Sequence, residues 1–354
     1  MNNNLLFIIS SLKKGGPVNQ LYELLATYPF LTHPAITILS ISPLDIPNSR
    51  SYDFLSLGHK VASLQLDSYN FYKIATLIKQ YIRDNSIDNV ISQGIRADIS
   101  LALLSPINKM GYFSILHNYI GPDYLFTYKK INALIMTFLH INALKRAKII
   151  AVSESVSEYI FNKYNLSSTV IRNGVRTREN PSKKTSKNCV KLVYVGIIDK
   201  RKRVHELISC FSRLKNKNLT LDIIGHGEIQ TEDIKNDNVS FPGFHNDVRS
   251  ILPNYNIFVS FSLYEGLPMA VLEALSMQIP CILSDIPPHR EIISLSANFG
   301  CICDINDNHS FAKAIDYCLS IEPFAIKTDY DKLLSSAVMA SAYYALINNN
   351  TTST

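Results

Sequence analysis

The chain has 354 residues, more than the roughly 100–200 of one ordinary domain, so two domains are expected. Its 47% hydrophobic and 18% charged residues describe a globular composition and exclude a disordered, collagen-like or coiled-coil chain. The net charge, 35 − 29 = +6, suits anionic substrates or an anionic membrane surface without proving either.

Residues 5–10 read as a strand, and Gly15-Gly16-Pro17 ends it. Residues 18–28 have helical spacing, with Leu21, Leu24 and Leu25 on one face. Further strands are expected at 36–41, 89–92, 112–116 and 149–152, the last after a long helical segment. The polar stretch 176–188 has almost no apolar residue and reads as a linker. Beyond it the alternation restarts: strand 192–196, helix 204–214, strands 219–224 and 257–261, helix 268–277, strand 280–283 and a closing helix at 330–347. This order predicts an α/β chain of two doubly wound domains facing a central cleft. The expected partition is 1–175, a linker at 176–190, a second domain at 191–325, and a helix and tail at 326–354.

No basic residue precedes the short apolar run at 5–9, and no run of about 18 apolar residues exists, so neither a secretory signal nor a membrane span is expected. Six scattered cysteines without zinc spacing read as free thiols, and the expected location is the cytoplasm. The apolar segment 131–144 lies between Lys129-Lys130 and Lys145-Arg146 with Lys148. It could dock on anionic lipid, but a core helix with charged ends is the favoured reading.

The most informative stretch runs from Glu265 to Leu275. A strand ends before it, and Pro268 opens a helix where a missing N–H costs nothing. The free amides of that first turn suit a diphosphate. Glu273 stands in an otherwise apolar helix, where its carboxylate could accept hydrogen bonds from a ribose diol.

The frame E-G-L-P-x-x-x-x-E-A-L, with Glu265 and Glu273 eight positions apart, resembles the E-x7-E motif of retaining glycosyltransferases of family 4, which have the GT-B fold. Four further segments are similar to family elements in the expected order, so the resemblance covers nearly the whole chain. They are Gly15-Gly16, Asn173-Gly174-Val175, Gly196 to Arg203, and Gly225-His226-Gly227-Glu228. One position departs from the pattern: Ile197 stands where the family has an arginine.

The resemblance implies that Lys202, with Arg201 or a neighbour, neutralises the departing diphosphate, the largest expected electrostatic contribution. Glu273 would hold the ribose, and Glu265 a donor-sugar hydroxyl. Gly16, Gly266 and Leu267 would line the donor, Gly16 by letting the backbone approach closely. His117 follows strand 112–116 and resembles the histidine that family members place against the donor sugar. For Gly225 and Gly227 a tight turn is the better reading, and no covalent nucleophile is assigned. The implied partners are a nucleotide-sugar donor and a glycan or lipid-linked acceptor.

No G-x-G-x-x-G, P-loop, HExxH or paired Cys/His set occurs, and Asp304 to Asp307 is one residue too wide for Asp-x-Asp, so no metal or other cofactor is expected. Basic residues are not interleaved with aromatics on one face, so nucleic acid is not an expected partner. The alternatives are a nucleotide-sugar epimerase of the same fold and a non-catalytic nucleotide-sugar-binding protein. The absence of Trp with abundant Asn, Ile, Lys and Ser suggests a bacterial source and a surface-polysaccharide pathway.

Overall fold

A computed structural model of the chain describes residues 4–27, 29–32, 36–45, 49–104, 111–178, 189–214, 216–227 and 237–349. It divides into two compact units, Met1–Gly174 with Ser336–Thr354, and Val175–Ser335.

In the first unit the described strands are β1 (Leu5–Ile9), β2 (Ile36–Ser40), β3 (Lys60–Ser63), β4 (Asn89–Gln93), β5 (Gly111–Leu116), β6 (Lys148–Ala151) and β7 (Ser168–Val170). They form one parallel sheet in the order β3-β2-β1-β4-β5-β6-β7. Every residue of β1, β2 and β4 is buried, as expected for parallel strands covered on both faces. The covering helices are α1 (Gly16–Leu25), α2 (Ser51–Ser56), α3 (Phe71–Asp84), α4 (Ile95–Ala102), α5 (Pro122–Thr127), α6 (Lys130–Leu144) and α7 (Glu154–Tyr164). Leu21, Leu24 and Leu25 are fully buried on α1, and Ile74 and Ile78 of α3 pack with Leu6, Ile8 and Val90 of the sheet.

The second unit repeats the plan with β8 (Val190–Val195), β9 (Leu219–Ile224), β10 (Val239–Gly243), β11 (Ile257–Ser260), β12 (Cys281–Leu283) and β13 (Gly300–Ile302). The parallel order β10-β9-β8-β11-β12-β13 is the 3-2-1-4-5-6 sequence of doubly wound nucleotide-binding sheets. Its helices are α8 (Val204–Arg213), α9 (Val248–Ile251), α10 (Met269–Ser276), α11 (Pro287–Leu295), α12 (Asn308–Ser320) and α13 (Pro323–Leu333). α8 and α12 bury Leu207, Phe211, Phe311 and Ile315 against the sheet.

The single closing helix expected at 330–347 is instead α13 and a separate α14 (Ser336–Asn349). Leu334 leaves the helical region at φ −136°, and the Ser335 hydroxyl donates to the Asp331 carbonyl at 2.8 Å, ending α13. α14 returns to the first unit: the Thr27 hydroxyl donates to Ser336 Oγ at 2.9 Å, and Phe30 meets Tyr344 edge-on. The start of the expected linker is tied to the second unit, because Thr177 donates to Asp331 at 2.7 Å and Arg178 to Asp247 at 2.9 Å. Residues 179–188 lie outside the described residues.

The core-helix reading of segment 131–144 is overturned. α6 buries only Ala133, His140, Ala143 and Leu144, while Ile131, Leu134, Ile135 and Phe138 face solvent. No helix among the described residues is long and apolar enough to cross a membrane.

Candidate active site

In the second unit the strand order reverses between β8 and β11, and a ligand is expected at such a point, beyond the carboxyl ends of the strands. The loop after β8 passes through Gly196 into a 3-10 turn at Lys200–Lys202, capped by Asp199, whose Oδ1 accepts from the Lys202 amide at 2.9 Å. The loop after β11 runs through Glu265 into α10. A backbone bond joins the two, from Leu263 N to Arg201 O at 2.9 Å.

At that junction Lys202 Nζ donates to Glu265 Oε1 in an ion pair whose side chains are only 17% and 9% exposed. Burial opposes ionisation of Glu265, yet the Lys202 ammonium, with Arg201 adding to it, holds the carboxyl below its ordinary value. Arg201 Nε lies 3.9 Å from Asp199. The structure therefore brings Arg201, Lys202 and Glu265 together. Gly266 and Leu267 follow, both buried. Pro268 stands at the N-cap, one residue earlier than the first helical position, with φ −72° and ψ 115°. The amides of the first α10 turn follow directly and have no intrahelical acceptor. Glu273, one turn into α10, is half-buried beside the fully buried Leu272 and Ala274. Ile197, where the family pattern has an arginine, is 49% exposed.

His289 belongs to this site and was not anticipated. It sits in the first turn of α11, just beyond the end of β12, and is fully buried. Its Nδ1 lies 3.1 Å from both the hydroxyl and the carbonyl of Ser284. Its Nε2 is buried and makes no hydrogen bond among the described residues. Burial lowers its pKa to about 4, against a partial opposing pull from Glu265. The available signal was positional: a histidine four residues after Ser284-Asp285, where a strand hands over to a helix.

In the first unit, Gly16 starts α1 after β1, and His117 follows β5 directly. β4 lies between those strands, so the two loops emerge about 10 Å apart. Gly16 has ordinary backbone geometry and open space where a side chain would stand, so the fold does not require glycine there. His117 is half-buried. Its Nε2 is buried without a hydrogen bond among the described residues, and burial lowers its pKa to about 4, opposed by the Asp98 carboxylate. Asp98, on α4, accepts from the Ser92 hydroxyl and, at 2.9 Å, from His140 Nε2. His140 Nδ1 lies 2.5 Å from the Tyr124 hydroxyl, so this network ties α4, α5 and α6 together next to His117.

Gly225 and Gly227 are turn residues. Both have φ near 150°, and a side-chain carbon would strike the backbone oxygens of Gly196 and Ile198. Glu228 lies outside the described residues. No group of three or more His, Cys, Asp or Glu able to hold a metal ion occurs among the described residues.

Residues 175–331 match the family model described as "Glycosyl transferases group 1", nearly the whole second unit. The second unit is thus similar to glycosyltransferase group 1 domains over nearly its whole length. Among curated proteins, the chain is 34% identical over 101 residues to the "UDP-Gal:alpha-D-GlcNAc-diphosphoundecaprenol alpha-1,3-galactosyltransferase" of Escherichia coli. That match spans 26% of either chain, so it compares about a quarter of the relative. It is 24% identical over 303 residues to the "O-antigen biosynthesis glycosyltransferase WclY" of Escherichia coli, covering 78% of this chain and 83% of the relative. The structure of Anabaena Alr3699/HepE in complex with UDP superposes with a TM-score of 0.75 at 14% identity, over 98% of this chain and 100% of that one. These likenesses identify the architecture as GT-B.

Proposed function

We propose that the chain is a retaining glycosyltransferase of family 4. It would move a sugar from a nucleotide-diphosphate sugar, UDP-linked in preference to GDP-linked, to a hydroxyl of a glycan or lipid-linked acceptor. The setting would be bacterial surface-polysaccharide synthesis on the cytoplasmic side, with no metal required. One observation carries this reading: the buried Lys202–Glu265 pair joins the two loops at the strand-order reversal, directly before the N-terminus of α10. A cation and free helix amides beside a carboxylate form a receptor for a diphosphate next to a hydroxyl-bearing sugar. The E. coli relative named for UDP-Gal and a diphosphoundecaprenol-linked acceptor, and the UDP bound in the Anabaena structure, support the donor and acceptor classes.

In the reaction, the bond between the anomeric carbon and the diphosphate breaks. The acceptor oxygen bonds to the same face of that carbon, and its proton leaves with the diphosphate. Lys202, assisted by Arg201, meets the charge that builds on the departing group. Glu265 keeps the Lys202 head in place and accepts from a donor-sugar hydroxyl, while Glu273 accepts from the ribose. His117, neutral at pH 7, offers a lone pair rather than a charge to the sugar.

A panel of UDP, GDP, ADP, CMP and their sugar conjugates, read by thermal shift, tests the reading. A ligand at about 100 times its Kd stabilises the folded state by about 2.7 kcal/mol. UDP is expected to stand out, and Glu273→Ala to abolish its effect; no shift with any nucleotide would overturn the donor assignment. The uncharged, exposed Ile197 favours one rival, a protein that binds nucleotide-sugar without turnover. Glycan product formed from UDP-sugar would exclude it.

A further inference from the structure

α6 is held by its inner face and leaves its outer face bare. His140 bonds inward to Asp98 and Tyr124, and Ala133, Ala143 and Leu144 complete the buried side. Outward, Ile131, Leu134, Ile135 and Phe138 recur at i, i+3, i+4 and i+7, forming one stripe along the helix. On α5, which packs against α6, Leu125 and Phe126 are also exposed. These six side chains are 50–73% exposed, and they fall within a stretch of 14 residues. Scattered exposed apolar residues need no explanation, but a continuous stripe of this kind marks a contact surface.

The charges nearby say what covers it. Lys129 and Lys130 precede the stripe, Lys145, Arg146 and Lys148 follow it, and all five are exposed. Residues 124–153 contain no Asp or Glu. A second copy of this chain would set cations against cations, and a core partner would bury them. A layer of anionic headgroups over an apolar interior complements both the rim and the stripe. We infer that the α5–α6 face docks on an anionic phospholipid bilayer, with α6 lying in the plane of the interface. The helix is 15 residues long, about 22 Å, which suits lying in the interface rather than spanning. The docking surface goes beyond the transferase reading and stands without it, because it rests on a separate face of the first unit.

Flotation with vesicles of phosphatidylcholine, with and without one part in four of phosphatidylglycerol, reads this contact without donor or turnover. The full-length chain should float with the anionic vesicles and much less with the neutral ones. Lys129→Gln/Lys130→Gln should weaken partitioning about 25-fold, about fivefold per cation. Leu134→Ser and Phe138→Ser should each weaken it about tenfold or more, because each removes one large apolar side chain from the lipid. All four substituted side chains are exposed, so the melting temperature and the UDP-induced thermal shift should not change. A wild-type chain that stays soluble with anionic vesicles at low salt overturns the inference, as do variants that float equally well. Light scattering that shows a dimer lost in Phe138→Ser would assign the face to a second copy and overturn it too. A failed flotation with an intact UDP shift would leave the transferase reading standing, and the converse result would leave the docking surface standing.

Discussion

Replacing His289 by glutamine turns a burial argument into a measurable pH slope. Nδ1 faces the Ser284 carbonyl, which only accepts, so Nδ1 carries the ring proton and Nε2 is a bare lone pair. Burial lowers the pKa from 6.5 to about 4, and charging the ring would place a second N–H where there is no acceptor among the described residues. The unfolded chain takes up this proton as the pH drops through 6.5, whereas the folded chain resists until near 4. Stability from this group is therefore complete above about pH 7 and is lost on acidification. The whole gap is worth about 3 kcal/mol, and about 2 kcal/mol of it is gone by pH 5. Urea unfolding followed by far-UV circular dichroism at pH 7 and pH 5 reads the loss. His289→Gln should start less stable at pH 7, from lost packing, and then lose about 2 kcal/mol less than wild type on going to pH 5. His117, lowered to a similar value, is present in both proteins and cancels in the comparison. Equal losses in the two proteins would refute the assignment of a neutral, proton-resisting His289.

Three other predictions follow from the same geometry. Lys202→Met leaves Glu265 buried without its cation and should cost about 3 kcal/mol of stability together with the UDP-induced shift; adding Glu265→Gln should restore most of the stability but not the shift, as calorimetry with and without UDP would show. Gly16→Ala meets open space but places a Cβ directly before Pro17, so stability should change by less than about 1 kcal/mol while transfer activity falls; unchanged activity would mean no ligand approaches that backbone. Ile197→Arg places a guanidinium at an exposed position beside the Lys202 loop and should tighten UDP binding about tenfold by titration calorimetry; an unchanged Kd would show that the loop points away from the diphosphate.

The four strands that hydropathy did not announce, β3, β7, β10 and β13, are the four edges of the two sheets. A central parallel strand is covered on both faces and reads as an apolar run, as β1 does with Leu-Leu-Phe-Ile-Ile. An edge strand has a neighbour on one side only, so Lys60–Ser63 and Ser168–Val170 stay half-exposed and mixed in composition. Site residues divided along similar lines. Glu265, Lys202 and Arg201 lie at strand ends and are charged, so position and chemistry both flagged them. His289 looks ordinary in sequence because its role depends on Ser284 and on complete burial, both products of tertiary packing. The α6 face was misjudged because an apolar helix reads the same whether its partner is a protein core or a surface.

The two units share a topology, yet their buried charges are arranged for different work. In the first unit the buried cation near the strand-order reversal is Arg96. Its guanidinium donates to the Leu66 and Ser68 carbonyls at 2.7 and 3.0 Å and to Ser42 Oγ at 2.8 Å. Freeing it for a phosphate would strand those acceptors and loosen the loops after β2 and β3, so it serves as a fastener. In the second unit Lys202 contacts one carboxylate through a flexible stem, and an arriving diphosphate could share the ammonium without dismantling a loop. That difference in what each cation must give up supports assigning the diphosphate to the second unit.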